Sequence, residues 1–179
     1  MNKYVALLRG INVGGNNIIK MAELKIAFEK NSFTNVKTYI NSGNVIFESA
    51  EKDIAKITQN IEKDIAKTFK QNLQVVVISQ KQLETVISEI PTEWKKGHDL
   101  RCYIAFIKEP FTPADFIKEV KLKENVDSVK TGKKVVYMST KLEGLTKSGF
   151  TKLAGTKIYK NITIRNLNTS QKLLALMSN

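Results

Sequence analysis

The sequence predicts an α+β fold made of two tandem ferredoxin-like units, each with an antiparallel sheet, and a C-terminal helix. Strand and helix signals follow the order β-α-β-β-α-β twice along the 179 residues. In each half, two successive strands form a hairpin, which breaks the βαβ alternation that a doubly wound parallel sheet requires. We therefore predict a first unit over 1–79, a helix and linker over 80–99, and a second unit with the C-terminal helix over 100–179.

The first unit is predicted from four short apolar runs and two helical patterns. Strands are expected at 3–9, 36–40, 45–48 and 73–78. A first helix over 21–30 has its apolar residues at helical spacing, and a longer helix, capped by Ser49, carries a stripe of isoleucines. The segment 41–44, Asn-Ser-Gly-Asn, is a turn signal whose glycine can adopt a positive φ.

The second unit repeats this pattern after a connecting segment. A capping box at 79–82 begins a helix, and the stretch 91–99, with Trp94, Gly97 and His98, is the candidate linker. Strands are predicted at 101–107, 125–129, 134–139 and 162–165. Helices are predicted from Thr112, more weakly over 147–153, and from Thr169.

The loop after the first strand carries the strongest functional signal. Positions 10–19 read Gly-Ile-Asn-Val-Gly-Gly-Asn-Asn-Ile-Ile, a composition that lets the backbone approach a ligand closely. In a ferredoxin-like sheet the first and third strands are central and antiparallel, so the end of strand one lies beside the start of strand three. The loop 9–17 and the hairpin 41–44 should therefore form one polar rim. Its predicted ligand-binding residues are Arg9, Gly10, Asn12, Gly14, Gly15, Asn41, Ser42, Gly43 and Asn44.

Arginine usage supports this prediction. Of 29 basic residues only Arg9, Arg101 and Arg165 are arginine. The planar guanidinium can hold a carboxylate or phosphate through two hydrogen bonds. Arg165, Asn166 and Asn168 precede the last predicted helix, where a helix N-terminus favours anions, and we expect them to close the rim site from the second half. The alternative for these residues is helix capping alone.

The net charge of +12 is concentrated in one part of the chain. Between positions 130 and 172 a single acidic residue, Glu143, opposes ten basic ones: Lys130, Lys133, Lys134, Lys141, Lys147, Lys152, Lys157, Lys160, Arg165 and Lys172. Such a field attracts nucleic acid. The alternative is a solvated lysine surface, because no aromatic-interleaved nucleic-acid motif accompanies the charge.

Several chemistries lack the residues they need. The glycine spacing at 10–15 matches a phosphate loop, but two asparagines replace the Lys-Ser/Thr pair that binds phosphate and magnesium. One histidine, His98, and one cysteine, Cys102, give no metal-ligand cluster, so neither metal nor cofactor is predicted. Ser42 lacks a neighbouring base. No catalytic residue is identified, and the sequence leaves open whether the protein is an enzyme.

The N-terminal residues resemble the bacterial family called domain of unknown function 1697. The resemblance rests on 7–15 (Leu-Leu-Arg-Gly-Ile-Asn-Val-Gly-Gly), 20–24 (Lys-Met-Ala-Glu-Leu) and 38–47 (Thr-Tyr-Ile-Asn-Ser-Gly-Asn-Val-Ile-Phe). It continues to 164–169, where Leu167 stands in place of the family's tryptophan, and a Ser-Lys-Leu-Thr-like segment matches only loosely around 146–148. The resemblance implies tandem ferredoxin-like halves and supplies no activity, substrate or cofactor.

Our leading hypothesis is a protein that binds a small phosphate- or carboxylate-bearing molecule at the rim. The first alternative is a nucleic-acid-binding module that uses the basic 130–172 segment. The second is a rim that is purely structural and binds no ligand. One cysteine suits a reducing cytoplasm, and no stretch reaches membrane-spanning length, so a cytoplasmic protein without a membrane partner is expected. The sequence does not specify an oligomeric state.

Overall fold

A computed structural model describes residues 1–15, 17–95 and 99–178. The fold is mixed α+β, with two four-stranded antiparallel sheets and a C-terminal helix. The chain divides into two compact units. Unit 1 contains Met1–Glu84 and the residues from Lys172 onward, and unit 2 contains Thr85–Gln171. The divisions fall within two helices, whereas the predicted boundaries at 79/80 and 99/100 stay a prediction.

Unit 1 is built on four strands and two helices that cover one face of the sheet. The strands are β1 (Asn2–Leu8), β2 (Thr34–Tyr39), β3 (Asn44–Ser49) and β4 (Val75–Ser79), and the helices are α1 (Met21–Lys30) and α2 (Ile54–Phe69). The sheet order is β2-β3-β1-β4, with every neighbouring pair antiparallel. The first and third strands are therefore central, as the sequence predicts.

The core of unit 1 lies between this sheet and its two helices. The isoleucine stripe of α2 is buried at Ile57, Ile61 and Ile65. The predicted cap is wrong, however: α2 begins at Ile54, and Asp53, not Ser49, accepts hydrogen bonds from the first-turn N–H groups. Ser49 instead accepts a bond from the backbone N–H of Glu51, three residues before the helix begins.

Unit 2 has the same sheet order but a different second connection. Its elements are the end of α3 (Gln80–Ser88), β5 (Leu100–Ile107), α4 (Pro113–Glu119), β6 (Asp127–Thr131), β7 (Val135–Lys141), β8 (Ile162–Asn166) and the start of α5 (Leu167–Ser178). The sheet order is β6-β7-β5-β8, again antiparallel throughout. The last helix begins two residues earlier than predicted, at Leu167 instead of Thr169.

The weak helix predicted over 147–153 does not form. Three short 3₁₀-helices, Leu142–Lys147, Gly149–Gly155 and Ile158–Asn161, take its place between β7 and β8. Glycine and serine interrupt this segment, and Ser148 caps the second 3₁₀-helix by accepting from the N–H of Phe150. A Cβ at Gly149 would lie 1.8 Å from the carbonyl oxygen of Lys121, so the backbones approach closely there. We call 142–161 the 3₁₀ segment.

The predicted linker over 91–99 contains a short helix. Thr92–Lys95 forms a 3₁₀-helix, and the Trp94 ring is buried with its edge against Tyr137, 6.0 Å between centroids. Gly97 and His98 lie outside the described residues. No helix in the described part of the chain is long and apolar enough to cross a membrane.

Candidate functional site

The rim lies at one end of the unit 1 sheet, where β1 ends and β3 begins. Leu7 pairs with Asn44 in the ladder, and the N–H of Leu8 donates to the carbonyl of Gly43 at 2.8 Å. One residue later, the N–H of Arg9 donates to the carbonyl of Gln74 at 3.0 Å. Arg9, half-buried, therefore lies where the first loop, the hairpin and the entry to β4 meet.

The side chain of Asn12 joins the loop to the hairpin. Its Nδ2 donates to the carbonyls of Asn41 and Ile19, both at 2.9 Å, and its Oδ1 accepts from the N–H of Ile19 at 2.8 Å. The backbone of Asn12 has φ 55°, a left-handed conformation that asparagine tolerates. Both ends of the amide are engaged with the backbone, so Asn12 fixes the shape of the rim.

Asn44 holds the hairpin in a similar way. This side chain is completely buried, and its Nδ2 donates to the carbonyl of Tyr39 at 2.9 Å and to Oγ of Ser42 at 3.2 Å. A buried amide that satisfies its hydrogen bonds internally stabilises the turn. The geometry places Asn44 behind the rim surface, and Asn41, exposed, on it.

The rim glycines fall into two kinds. At Gly43, which has φ 79°, an added Cβ would lie 2.7 Å from Cδ1 of Ile11, so the close packing of loop on hairpin excludes a side chain. Gly10, Gly14 and Gly15 also have positive φ, at 67°, 59° and 77°, but a Cβ there would meet no atom within 4 Å. These three are exposed and leave their backbone open to an approaching molecule.

Exposed aliphatic side chains share the rim, and sequence reasoning missed them. Val13, Ile18 and Ile40 are 63%, 70% and 47% exposed. Ile40 has φ 48°, an uncommon conformation for a β-branched residue, immediately before the carbonyl that Asn12 binds. One sequence signal could have indicated their exposure: Val13 and Ile18 lie within a run of glycine and asparagine, outside any apolar periodicity.

The second predicted cluster does not form one exposed site. Arg165 is only 8% exposed, pairs with Ile104 in the sheet of unit 2, and donates from Nη1 to the carbonyl of Ile164 at 3.0 Å. Burial lowers the pKa of its guanidinium to about 10. Asn166 and Asn168 are exposed instead. Arg165 lies on the face of its sheet opposite Ile162 and Ile164, because alternation along β8 points its side chain to the same face as Thr163, which is also buried.

The basic side chains between 130 and 172 are exposed, apart from that of Arg165. The nine lysines between 130 and 172 are all exposed: Lys130, Lys133, Lys134, Lys141, Lys147, Lys152, Lys157, Lys160 and Lys172. Lys134 pairs with Glu109, and Lys130 donates to the carbonyl of Glu89 at 3.2 Å. Lys172 belongs to unit 1, and the six remaining lysines give unit 2 a positive surface.

Two further kinds of site were considered in the sequence, a metal site and a reactive thiol at Cys102. No group of three or more His, Cys, Asp or Glu residues able to hold a metal occurs among the described positions. Burial, with a smaller contribution from Glu93, raises the pKa of the Cys102 thiol, which therefore stays protonated at neutral pH. Cys102 accordingly lacks the character of a nucleophile.

Fold and rim together define a two-unit α+β protein with a hydrogen-bonded loop–hairpin junction. A family model described as "Protein of unknown function (DUF1697)" matches residues 1–137, and the chain belongs to this family. Its structure is similar to that of the conserved bacterial protein SP0830 from Streptococcus pneumoniae, with a TM-score of 0.86 and 27% identity over 98% of each chain. None of the curated proteins matches the chain.

Proposed function

We propose that the protein binds a small anionic molecule, one that bears a phosphate or a carboxylate, at the rim of unit 1. The observation that supports this most is the hydrogen bond from Asn12 to Asn41, which joins the loop that carries Arg9 and the three open glycines to the hairpin. Exposed backbone and a guanidinium are the two kinds of donor that recognise such groups.

Within this proposal the rim residues divide into two roles. Asn12 and Asn44 shape the rim, because their amides already bind backbone groups or Ser42. Arg9 and the backbone of Gly10, Gly14 and Gly15 face the ligand, with Asn41 and Ser42 at the edge. Gly43 allows the close packing beneath them. The structural alternative is thus supported for the two amides.

The two units also support the finer fold assignment, that each is a ferredoxin-like unit. The element order of unit 1 and the shared strand order, with first and third strands central, favour it. In unit 2 the 3₁₀ segment stands where such a unit has its second helix. A cytoplasmic location belongs to the same proposal, and the single cysteine supports it.

Calorimetric titration tests the rim site. Inorganic phosphate, citrate and a sugar phosphate are titrated into the wild type, Arg9→Ala and Arg9→Lys, with Arg101→Ala as the control for loss of an exposed arginine in unit 2. We expect saturable binding of at least one of these anions. Arg9→Ala should weaken it at least tenfold, Arg9→Lys should weaken it less, and Arg101→Ala should leave it unchanged. Equal binding by the wild type and Arg9→Ala would remove Arg9 from the site.

The nucleic-acid alternative has one observation in its favour, the exposure of the lysines between 130 and 172. It requires binding that weakens steeply with salt, because neutralised phosphates release counterions. Fluorescence anisotropy with single- and double-stranded probes at two salt concentrations measures this. Salt-insensitive binding, or none at low salt, excludes the alternative.

A further inference from the structure

A cavity of about 400 Å³ lies within unit 2, on the face of the sheet that the 3₁₀ segment covers. Its size is within the range of small-molecule sites. Three aromatic side chains line it, Tyr103 from β5 and Phe150 and Tyr159 from the 3₁₀ segment. Aromatic walls of this kind suit a flat ring, because offset stacking and edge-on contacts add to simple burial.

A half-buried carboxylate, that of Asp127, binds the polar part of the wall. Thr140 and Ser148, both almost fully buried, line the cavity and donate to Oδ1 of Asp127 at 3.0 and 2.6 Å. Oδ2 of Asp127 accepts from the N–H groups of Lys123 and Gly149 at 2.8 and 2.7 Å. Burial alone would raise the pKa of Asp127, but these hydrogen bonds outweigh it and hold the pKa below its usual value.

The ionised carboxylate sets the hydrogen-bonding character of the two hydroxyls. A carboxylate can only accept, so both hydroxyl protons are directed at Asp127. Oγ1 of Thr140 then has lone pairs, and no proton, to offer a bound molecule. Oγ of Ser148 already accepts from the N–H of Phe150, so it has one remaining lone pair to offer. This wall therefore prefers an N–H donor over a carbonyl oxygen.

The cavity is lined in part by a lysine-rich stretch of the chain. Lys147, Lys152 and Lys160 are exposed and directly adjoin lining residues in sequence, namely Ser148, Thr151 with Leu153, and Tyr159. Within 141–160 only Glu143 is acidic, against five lysines. The outer part of the cavity thus favours an anion, whereas its inner wall favours an amine.

We propose that this cavity binds a free mononucleotide whose base carries an exocyclic amine. The base lies among the three aromatic rings, its amine donates to Thr140 and Ser148, and its phosphate is held by the lysines of the 3₁₀ segment. This site lies in unit 2, and it does not depend on the anion site proposed for unit 1.

Matched ligands test each part of the proposal. AMP is compared with purine riboside 5′-monophosphate, which lacks only the amine, with adenosine and with inorganic phosphate, all by calorimetric titration. We expect saturable AMP binding that weakens about tenfold without the amine. Adenosine should bind more weakly still, and the binding of both nucleotides, but not that of adenosine, should weaken as salt is raised. Absence of saturable AMP binding, or equal binding of the two nucleotides, would overturn the proposal.

Two variants locate the site. Ala154 lines the cavity and is exposed, so Ala154→Leu fills the space without burying a polar group. Its control, Ala114→Leu, makes the same change at an exposed position of α4 in the same unit. Lys152→Ala removes a flanking charge, with Lys133→Ala as its control. AMP affinity should fall at least tenfold in Ala154→Leu and severalfold in Lys152→Ala, with both controls unchanged. Equal AMP affinity of Ala154→Leu and Ala114→Leu would show that AMP does not bind in this cavity. Tighter binding of a hexa-adenylate than of AMP would overturn the free mononucleotide as the ligand and favour single-stranded nucleic acid.

Discussion

Single residues at the rim show how one side chain can determine the shape of a loop. The side chain of Asn12 makes three hydrogen bonds, one to Asn41 in the hairpin and two to Ile19 just before α1. The sequence places Asn12 and Asn41 near each other through strand order alone. It does not reveal which of two neighbouring asparagines binds the backbone and which faces solvent, because that depends on backbone angles set by the whole loop.

The hydrogen bonds of Asn12 should contribute measurably to stability. Asn12→Ala loses three hydrogen bonds that are part-buried or exposed, and we expect it to lower the free energy of unfolding by about 2 kcal/mol more than its control. The control is Asn125→Ala, since Asn125 is exposed and has nearly the same φ, 59° against 55°. Urea denaturation measures both. Equal losses would mean that the side-chain bonds add nothing beyond the backbone strain.

The two kinds of rim glycine should respond differently to a methyl group. Gly43→Ala and Gly15→Ala share the strain of a positive φ, near 79° and 77°, at about 1 kcal/mol each. Only Gly43→Ala also drives a Cβ into Ile11, which should cost about 2 kcal/mol more. Thermal and urea unfolding compare the two variants. A larger loss in Gly15→Ala would contradict the observed packing.

At the scale of elements, strong periodicity predicts the helices and strands well, but it does not predict short irregular segments. The α2 stripe and all eight strands were expected, because period and β-branched content identify them. The 3₁₀ segment was not. It is held by side chains distant in sequence, such as Asp127 binding Ser148 and Glu119 accepting from the N–H of Ile158, and no local pattern encodes these bonds. The unit 2 cavity arises from this irregular cover and was therefore also missed.

The Asp127 network makes the stability of unit 2 dependent on pH. The folded pKa of Asp127 lies below its usual value of 3.8, so its contribution is present above that value and is lost as pH falls through the folded pKa. We expect Asp127→Asn to be less stable than the wild type at pH 7, with a difference that shrinks in acid. Denaturant unfolding across this range measures it, with exposed Asp99→Asn as control. A difference that does not change with pH would contradict a charge-dependent role.

At the scale of the whole molecule, the last helix contributes to both compact units. α5 begins in unit 2, and its residues from Lys172 onward belong to unit 1, where Lys3 donates from Nζ to the carbonyl of Met177 at 2.8 Å. Met177 is completely buried. A pattern read along the chain does not show which unit a terminal segment packs against, and the assignment of 100–179 to the second unit stays a prediction.

Truncating Met177 should destabilise unit 1. Met177→Ala removes a fully buried side chain, and we expect a loss of about 3 kcal/mol, against little effect of Lys172→Ala on the exposed side of the same helix. Hydrogen exchange reports where the loss falls. Amides of β1 and β3 should lose protection before those of β5 and β7. If the amides of β5 and β7 lost protection first, Met177 would stabilise unit 2 and not unit 1.

The central claim, that the unit 1 rim is an anion site, is tested most directly by a titration of ¹⁵N-labelled protein with inorganic phosphate and a sugar phosphate, followed by two-dimensional NMR. We predict saturable shifts of the Gly10, Gly14 and Gly15 amides, absent in Arg9→Ala, because the proposed site combines these exposed groups with Arg9 in the same loop. The claim is contradicted if these amides do not move while the protein stays folded, or if only amides of the 3₁₀ segment respond.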